Sequence, residues 1–197
     1  VDAQVLAAWQ RCIPADAGMA LFAVGGYGRA ELFPQSDVDL LVIAAPQAQA
    51  AHANALARLF ALLWDAGLPV GHAVRSIAQC AEAALADITV LTAMLEARTL
   101  VGAAADRDAL QAAVAPGVLW PARPFYLAKR EELRLRHARF GDTADNLEPN
   151  LKEGPGGLRD IQTLRWMALR LIGTGEGDAL VALGQLGADE AATLERE

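Results

Sequence analysis

Two carboxylates, Asp37 and Asp39, stand at the head of an apolar run, and Gly25 and Gly26 lie upstream at the exit of another. On a β-strand alternate side chains share a face. Asp37 and Asp39 should therefore project one way, and Val38 and Leu40 the other. Two adjacent carboxylates repel each other unless a cation sits between them. Oxygen donors at this spacing suit Mg²⁺, which is commonly held by one or two carboxylates plus substrate phosphates. The glycines supply the complementary half, because backbone N–H groups without a Cβ beside them can approach a phosphate closely. A helix starting there would add its positive end. Arg29 could bring a charge to the same phosphates, and Ser36 could cap the turn or bind a phosphate oxygen. Asp37 and Asp39 are thus candidate metal ligands and catalytic residues, with Gly25, Gly26, Arg29 and Ser36 as candidate nucleotide contacts.

Each part taken alone has a plainer reading. A Gly-Gly pair after a strand is most often a turn, and an isolated Asp-x-Asp is most often a solvated strand edge. The joint pattern is what carries the chemistry: apolar run, Gly-Gly, short spacer, Ser-Asp-x-Asp, apolar run. Gly26-x-Gly28 also resembles part of a dinucleotide fingerprint. Glu31 holds the third glycine position, however, and the next acidic strand arrives well before the roughly 20-residue spacing that a ribose-binding acid needs.

These residues need a frame. Val5, Trp9 and Cys12/Ile13 recur at helical spacing, which predicts a helix over 2–12 that ends at Pro14. Met19–Val24 and Val38–Ala44 read as buried strands, with a glycine-rich turn and a brief helical segment between them. Residues 48–66 read as a helix with Leu56, Leu59/Phe60 and Leu63 on its apolar stripe and Gly67 past its end. A third strand is predicted over 68–76. A helix over 79–98 would turn Leu85, Ile88, Leu91/Thr92 and Leu95 inward, and another covers 106–114. Pro116, Pro121 and Pro124 then mark a boundary, after which only helices are predicted. These are 124–139, whose five basic and two acidic side chains could meet an acidic partner surface or nucleotide but more often mark a solvated face, and 158–172, with Ile161, Leu164, Ala168 and Leu171 inward. Trp9, Trp64, Trp120 and Trp166 are expected in the core, and His72 as a packed strand residue. The domains expected are 1–115, a small α+β unit, and 116–197, a helical extension whose last helix looks cut.

Composition narrows the class. An apolar fraction of 54% against 21% charged residues supplies a substantial core. A net charge of −7 argues against general nucleic-acid binding, which needs surplus Lys and Arg. No apolar run reaches the roughly 20 residues of a membrane span, and no signal peptide is visible. Cys12 and Cys80 form no CxxC pair and read as reduced thiols, which makes a cytoplasmic bacterial-type protein the default. Nothing in the sequence fixes an oligomeric state.

Gly-Gly followed by Asp-x-Asp resembles the signature of the DNA polymerase β-like nucleotidyltransferase superfamily. The fuller string GGYGRAELFPQSDVDLL is similar to the bacterial PII uridylyltransferase/uridylyl-removing family. A second string, residues 139–163, resembles the same family, as do GHAVRS (71–76) and DITVLTAMLEARTLVG (87–102). The resemblance implies a small mixed sheet flanked by helices, the polymerase β-like fold, followed by an all-helical extension. It implies transfer of UMP from UTP to a tyrosine of the nitrogen-regulatory PII protein, with Mg²⁺ or Mn²⁺ as cofactor and pyrophosphate released. Asp37 and Asp39 match its metal-binding pair, and Gly25 and Gly26 its triphosphate-binding turn.

Family members are much longer and add a hydrolase domain and glutamine-sensing domains, so this chain corresponds to the transferase portion. The superfamily usually places a third carboxylate on a later strand of the sheet. The strand nominated here, Val70–Arg75, contains no acid, and Asp87 and Glu96 fall on a predicted helix. In the second string Lys152 is the best phosphate-contact candidate. Gly154–Gly157 is either a phosphate- or base-binding loop or a plain helix entry. The rival reading is a nucleotidyltransferase-fold module that binds nucleotide or PII as a regulator, without chemistry.

Overall fold

The computed structural model describes every residue except 35, 144–147, 149, 174–176 and 197, and no side chain from 194 onward. Residues 144–147 and 149 of the second family string therefore lie outside the described residues. The chain divides into two units, Val1–Leu119 and Trp120–Glu197.

The first unit begins with α1 (Asp2–Cys12), which buries Val5, Ala8 and Trp9. Pro14 disfavours helical backbone at the residue before it, and Ile13 is extended. Next come β1 (Met19–Ala23), the single-turn α2 (Gly25–Gly28) and β2 (Val38–Ala44). The expected helix over 48–66 is two helices, α3 (Pro46–Ala51) and α4 (Ala53–Asp65), separated at His52. β3 (Val70–Arg75) follows, as predicted.

The expected helix over 79–98 is also broken, into α5 (Ile77–Ala86) and α6 (Ile88–Leu95). Asp87 causes the break. Its backbone is extended and its carboxylate accepts the Thr89 N–H at 2.7 Å, capping α6. Ser76 and Gln79 form a capping box that starts α5. Beyond α6 lies a strand that the sequence reading did not include, β4 (Arg98–Val101), which overlaps the expected helix only at Arg98 and pairs antiparallel with β1. The unit closes with α7 (Ala104–Ala113).

The four strands form one mixed sheet in the order β3-β2-β1-β4. β1 runs antiparallel to β2 and β4, and β2 runs parallel to β3. Leu21 and Ala23 of β1 and Val38, Leu40 and Val42 of β2 share the main core with Val5 and Trp9 of α1 and Leu56, Leu59, Phe60 and Leu63 of α4. Full burial of such a side chain is worth about 1.5–3 kcal/mol. By strand alternation Asp39, Leu41 and Ile43 face the other side of the sheet. This is the α+β architecture expected, a small mixed sheet flanked by helices.

Among the described residues the second unit contains helices only: α8 (Ala122–Arg139), α9 (Leu158–Ile172), α10 (Gly177–Ala182) and α11 (Ala188–Arg196). Gly173, in the left-handed region, ends α9. The buried face of α9 is not the one expected. Gln162, Thr163, Trp166 and Arg170 point inward, while Leu164 and Leu171 are exposed. Nor is the basic helix α8 a solvated face throughout. Lys129 and Arg136 are buried, because each finds an anionic partner and Lys129 also lies 4.5 Å from the centre of the Trp166 ring. In the first unit Leu85 and Trp64 are exposed rather than core.

Leu59 is fully buried and Leu164 is 60% exposed. Leu59→Ala should cost about 2–5 kcal/mol of unfolding free energy. Leu164→Ala should stay within about 0.5 kcal/mol of the parent. Urea unfolding of both variants checks these face assignments.

Candidate functional site

Asp39 is the second residue of β2, and its backbone is fixed from both sides. Its carbonyl accepts the Val24 N–H at 3.0 Å, which joins the start of the glycine turn to the strand. Across the sheet its register partner on β3 is Gly71. The half-buried Asp39 side chain lies between two glycines. A Cβ on Gly25 would sit 3.2 Å from its Oδ2, and one on Gly71 would sit 2.6 Å from its Oδ1. Gly25 also has φ +58°, a conformation that side-chain-bearing residues rarely adopt. Asp37 is exposed immediately before β2, two positions from Asp39. Behind Asp39 a cleft of about 280 Å³ opens between the sheet and α6, lined by Gly71, Ala73, Arg75, Thr89, Ala93 and Met94 among others.

The turn closes on itself. Gly28 donates its N–H to Val24, Arg29 to Gly25 and Glu31 to Gly26, through backbone bonds of 3.0–3.2 Å. Being the first turn of α2, the Gly25, Gly26 and Tyr27 amides have no acceptor within the helix. Ser36 accepts the Phe33 N–H on its hydroxyl at 3.0 Å, so it caps the loop leading into β2. Arg29 is engaged by protein carboxylates. Its Nε donates to Glu31 at 2.6 Å and its Nη1 to Glu96, in a pair largely shielded from water. Gly28 has no room for a side chain, since a Cβ there would run into the Glu96 carbonyl oxygen. Glu96, expected on a helix, is instead the residue that ends α6.

A second strut, which the sequence reading missed, holds the turn from below. Arg98 on β4 donates to both carboxylate oxygens of Asp2, at 2.8 and 3.1 Å, and to the Tyr27 carbonyl at 3.3 Å. These bonds hold the Asp2 carboxyl at about 2. Burial, with the Asp2 carboxylate nearby, pushes the Tyr27 phenol above its ordinary range. His72 stacks on Phe60 with ring centres 3.7 Å apart, and burial lowers its pKa.

The Asp39 carboxylate thus lies beside glycine backbone, and exposed Asp37 precedes it by two residues in the chain. That fits a hard divalent cation completed by phosphate and water oxygens. Among the described residues no three His, Cys, Asp or Glu side chains converge as a metal cage. β3 carries no acid: the positions that share its Asp39-facing side are Gly71, Ala73 and Arg75.

In the second unit Lys152 is exposed in the turn before α9. The glycine loop behaves as a helix entry, with its amides used internally. Gly154 donates to Asn150, Gly157 to Gly154, and Gly156 to the Asp160 carboxylate at 2.8 Å. Asp160 also accepts from Arg136 at 2.6 Å and lies 3.0 Å from His137 Nε2. Burial alone would raise its pKa, but these partners hold it below the usual carboxylate value. The charges of the second string therefore fasten the loop to α8.

The comparisons extend the resemblance to the whole chain. A family model described as GlnD PII-uridylyltransferase matches residues 124–197. A protein of Xanthomonas campestris pv. campestris (strain 8004), named bifunctional uridylyltransferase/uridylyl-removing enzyme, is 66% identical over 197 residues, covering 100% of this chain and 23% of that relative. One of the same name from Ectopseudomonas mendocina (strain ymp) is 48% identical over 195 residues, 98% of this chain and 22% of the relative. The chain thus spans about a quarter of the length of these relatives. A crystal structure of a toxin-antitoxin with AMP-PNP aligns with a TM-score of 0.37 and 14% identity, over 72% of this chain and 95% of that one.

The Arg98 strut predicts a pH signature. Asp2 titrates near 2 when folded, against an ordinary 3.8, so its pairing stabilises the fold above about pH 4 and is lost as pH falls toward 2. Asp2→Asn should lower stability at pH 7, by no more than about 1 kcal/mol because the pair is partly exposed. It should also flatten the decline in melting temperature between pH 4 and 2, as thermal melts across that range would record.

Proposed function

We propose that this chain, a relative along its full length of the bifunctional uridylyltransferase/uridylyl-removing enzymes, carries out nucleotidyl transfer. Residues 1–115 serve as the nucleotidyltransferase domain and 116–197 as a helical extension. The donor is UTP, and the acceptor is a tyrosine hydroxyl of a PII-type signal protein. The acceptor oxygen bonds to the α-phosphorus, the bond to the β-phosphate bridge breaks, and pyrophosphate leaves. The observation that carries this reading is the Asp39 carboxylate, seated between Gly25 and Gly71 beside the glycine turn.

Asp37 and Asp39 are the residues that would hold Mg²⁺ or Mn²⁺. When bound, such a cation neutralises phosphate charge and stabilises the leaving group. The Gly25–Gly26 backbone would offer its amides to the phosphates. Ser36 fixes the loop that delivers Asp37, and Arg29, paired with Glu31 and Glu96, keeps the turn in shape. Catalysis is then mostly positioning and charge stabilisation by preformed groups. Cys12 and Cys80 are free thiols, which suits the cytoplasmic setting this reading implies. No helix among the described residues is long and apolar enough to cross a membrane.

A second reading is a module that binds nucleotide or PII without turnover. It is favoured by the absence of a three-residue metal cage among the described residues. One assay separates the two: the chain with Mn²⁺, UTP and PII, followed by pyrophosphate release and the mass of PII. Transfer predicts both pyrophosphate and a PII heavier by one uridylyl group, UMP less a water. The module predicts bound nucleotide and neither product. Under the transfer reading Asp39→Asn should lower the rate by more than about a hundredfold, or roughly 2.7 kcal/mol of barrier. Asp39→Asn with parental activity would contradict it.

A further inference from the structure

Glycine inside a strand weakens it, because it adds backbone freedom and packs nothing. Each such glycine therefore calls for a reason. In the turn, outside any strand, Gly25 is explained by its left-handed backbone and Gly28 by the Glu96 carbonyl. Gly71 has neither. It lies inside β3, and its φ is outside the left-handed region. Its chain neighbours aside, the only described atoms that a Cβ there would meet within 4 Å belong to Asp39: Oδ1 at 2.6 Å and Cγ at 3.8 Å. The glycine spares no backbone, no helix and no core side chain. It makes room for one carboxylate.

The geometry explains how. Asp39 and Gly71 are register partners on the parallel strands β2 and β3. The Asp39 carboxylate leans across the bare α-carbon of Gly71. Its other oxygen is bounded by Gly25, where a Cβ would lie 3.2 Å away. A carboxylate held between two such positions keeps one orientation. A methyl group on the β3 side would rotate it toward the turn, or push it off.

We infer that Gly71 is a positioning residue, whose missing side chain sets the orientation in which the Asp39 carboxylate is presented. The inference rests on the proposed role of Asp39 as a cation ligand, and it concerns Gly71 alone. Gly71 does not touch the nucleotide, and acts only through Asp39.

The test is a double-mutant cycle on the chain with two readouts: Gly71→Ala, Asp39→Ala and the pair together. The first readout is melting temperature without metal. Alanine at 71 should lower it when Asp39 is present and raise it when residue 39 is alanine, because the obstructed group has gone. The second is Mn²⁺ affinity in the presence of a non-hydrolysable UTP analogue, by calorimetry. Gly71→Ala should weaken it at least tenfold while the fold remains intact. If Gly71→Ala unfolds the parent chain but not the Asp39→Ala chain, the coupling is equally established. Equal melting shifts in both backgrounds, unfolding in both, or parental Mn²⁺ affinity in Gly71→Ala would overturn the inference. If the unaltered chain binds no Mn²⁺, the cation reading of the site falls instead, and the melting cycle still decides whether Gly71 sets Asp39.

Discussion

A carboxylate resting between two α-carbons that bear no side chain is the constraint around which the first unit is organised. Asp39 can occupy that place only if β2 lies in register with β3, so that Gly71 stands opposite, and only if the turn brings Gly25 back over the strand. Both conditions depend on long-range pairing. The parallel β2–β3 contact is bridged by α3 and α4, and α4 buries its apolar stripe on the opposite face of the sheet. The apolar core and the polar site are thus two sides of one sheet, separated by the alternation of a single strand.

The turn is held by several modest interactions. Backbone bonds close it, Arg29 joins it to Glu31 and Glu96, and Arg98 ties Tyr27 to Asp2. A shielded Arg–carboxylate pair that loses one partner leaves an uncompensated charge. The pairs around this turn consequently serve its shape more than its net stability. The same logic recurs in the second unit, where Arg136, His137 and the Gly156 amide converge on Asp160. Residues that look like spare cations and a free glycine loop in the sequence are there committed to one another.

Much of this was legible in the residues. The strands around the glycine turn, the α4 stripe and the placement of Asp39 opposite the core follow from period and punctuation alone. Other features depended on tertiary partners. β4 is four residues long, too short to announce itself as a strand until β1 is there to pair with it. Asp87 reads as one more helix residue until its side chain is seen to cap Thr89. The α9 face departs from the periodic one because apolar Leu164 is exposed while Arg170 and Gln162 are buried, which periodicity of hydrophobic residues cannot anticipate. Gly71 had no signal of its own, since its meaning lies in a residue 32 positions earlier that only the sheet register brings opposite. The charge of Lys129 read as solvated for the same reason, its partners Glu132 and Trp166 meeting it only in the folded unit.

The account stands or falls on whether Asp37 and Asp39 share a divalent cation at the glycine turn. Anomalous diffraction from crystals of the chain grown with Mn²⁺ and a non-hydrolysable UTP analogue addresses this directly. The account predicts a manganese peak within coordination distance of the Asp39 carboxylate, with triphosphate oxygens completing its shell beside Gly25 and Gly26. Manganese and nucleotide bound elsewhere, with the Asp39 oxygens turned away from them, would contradict it.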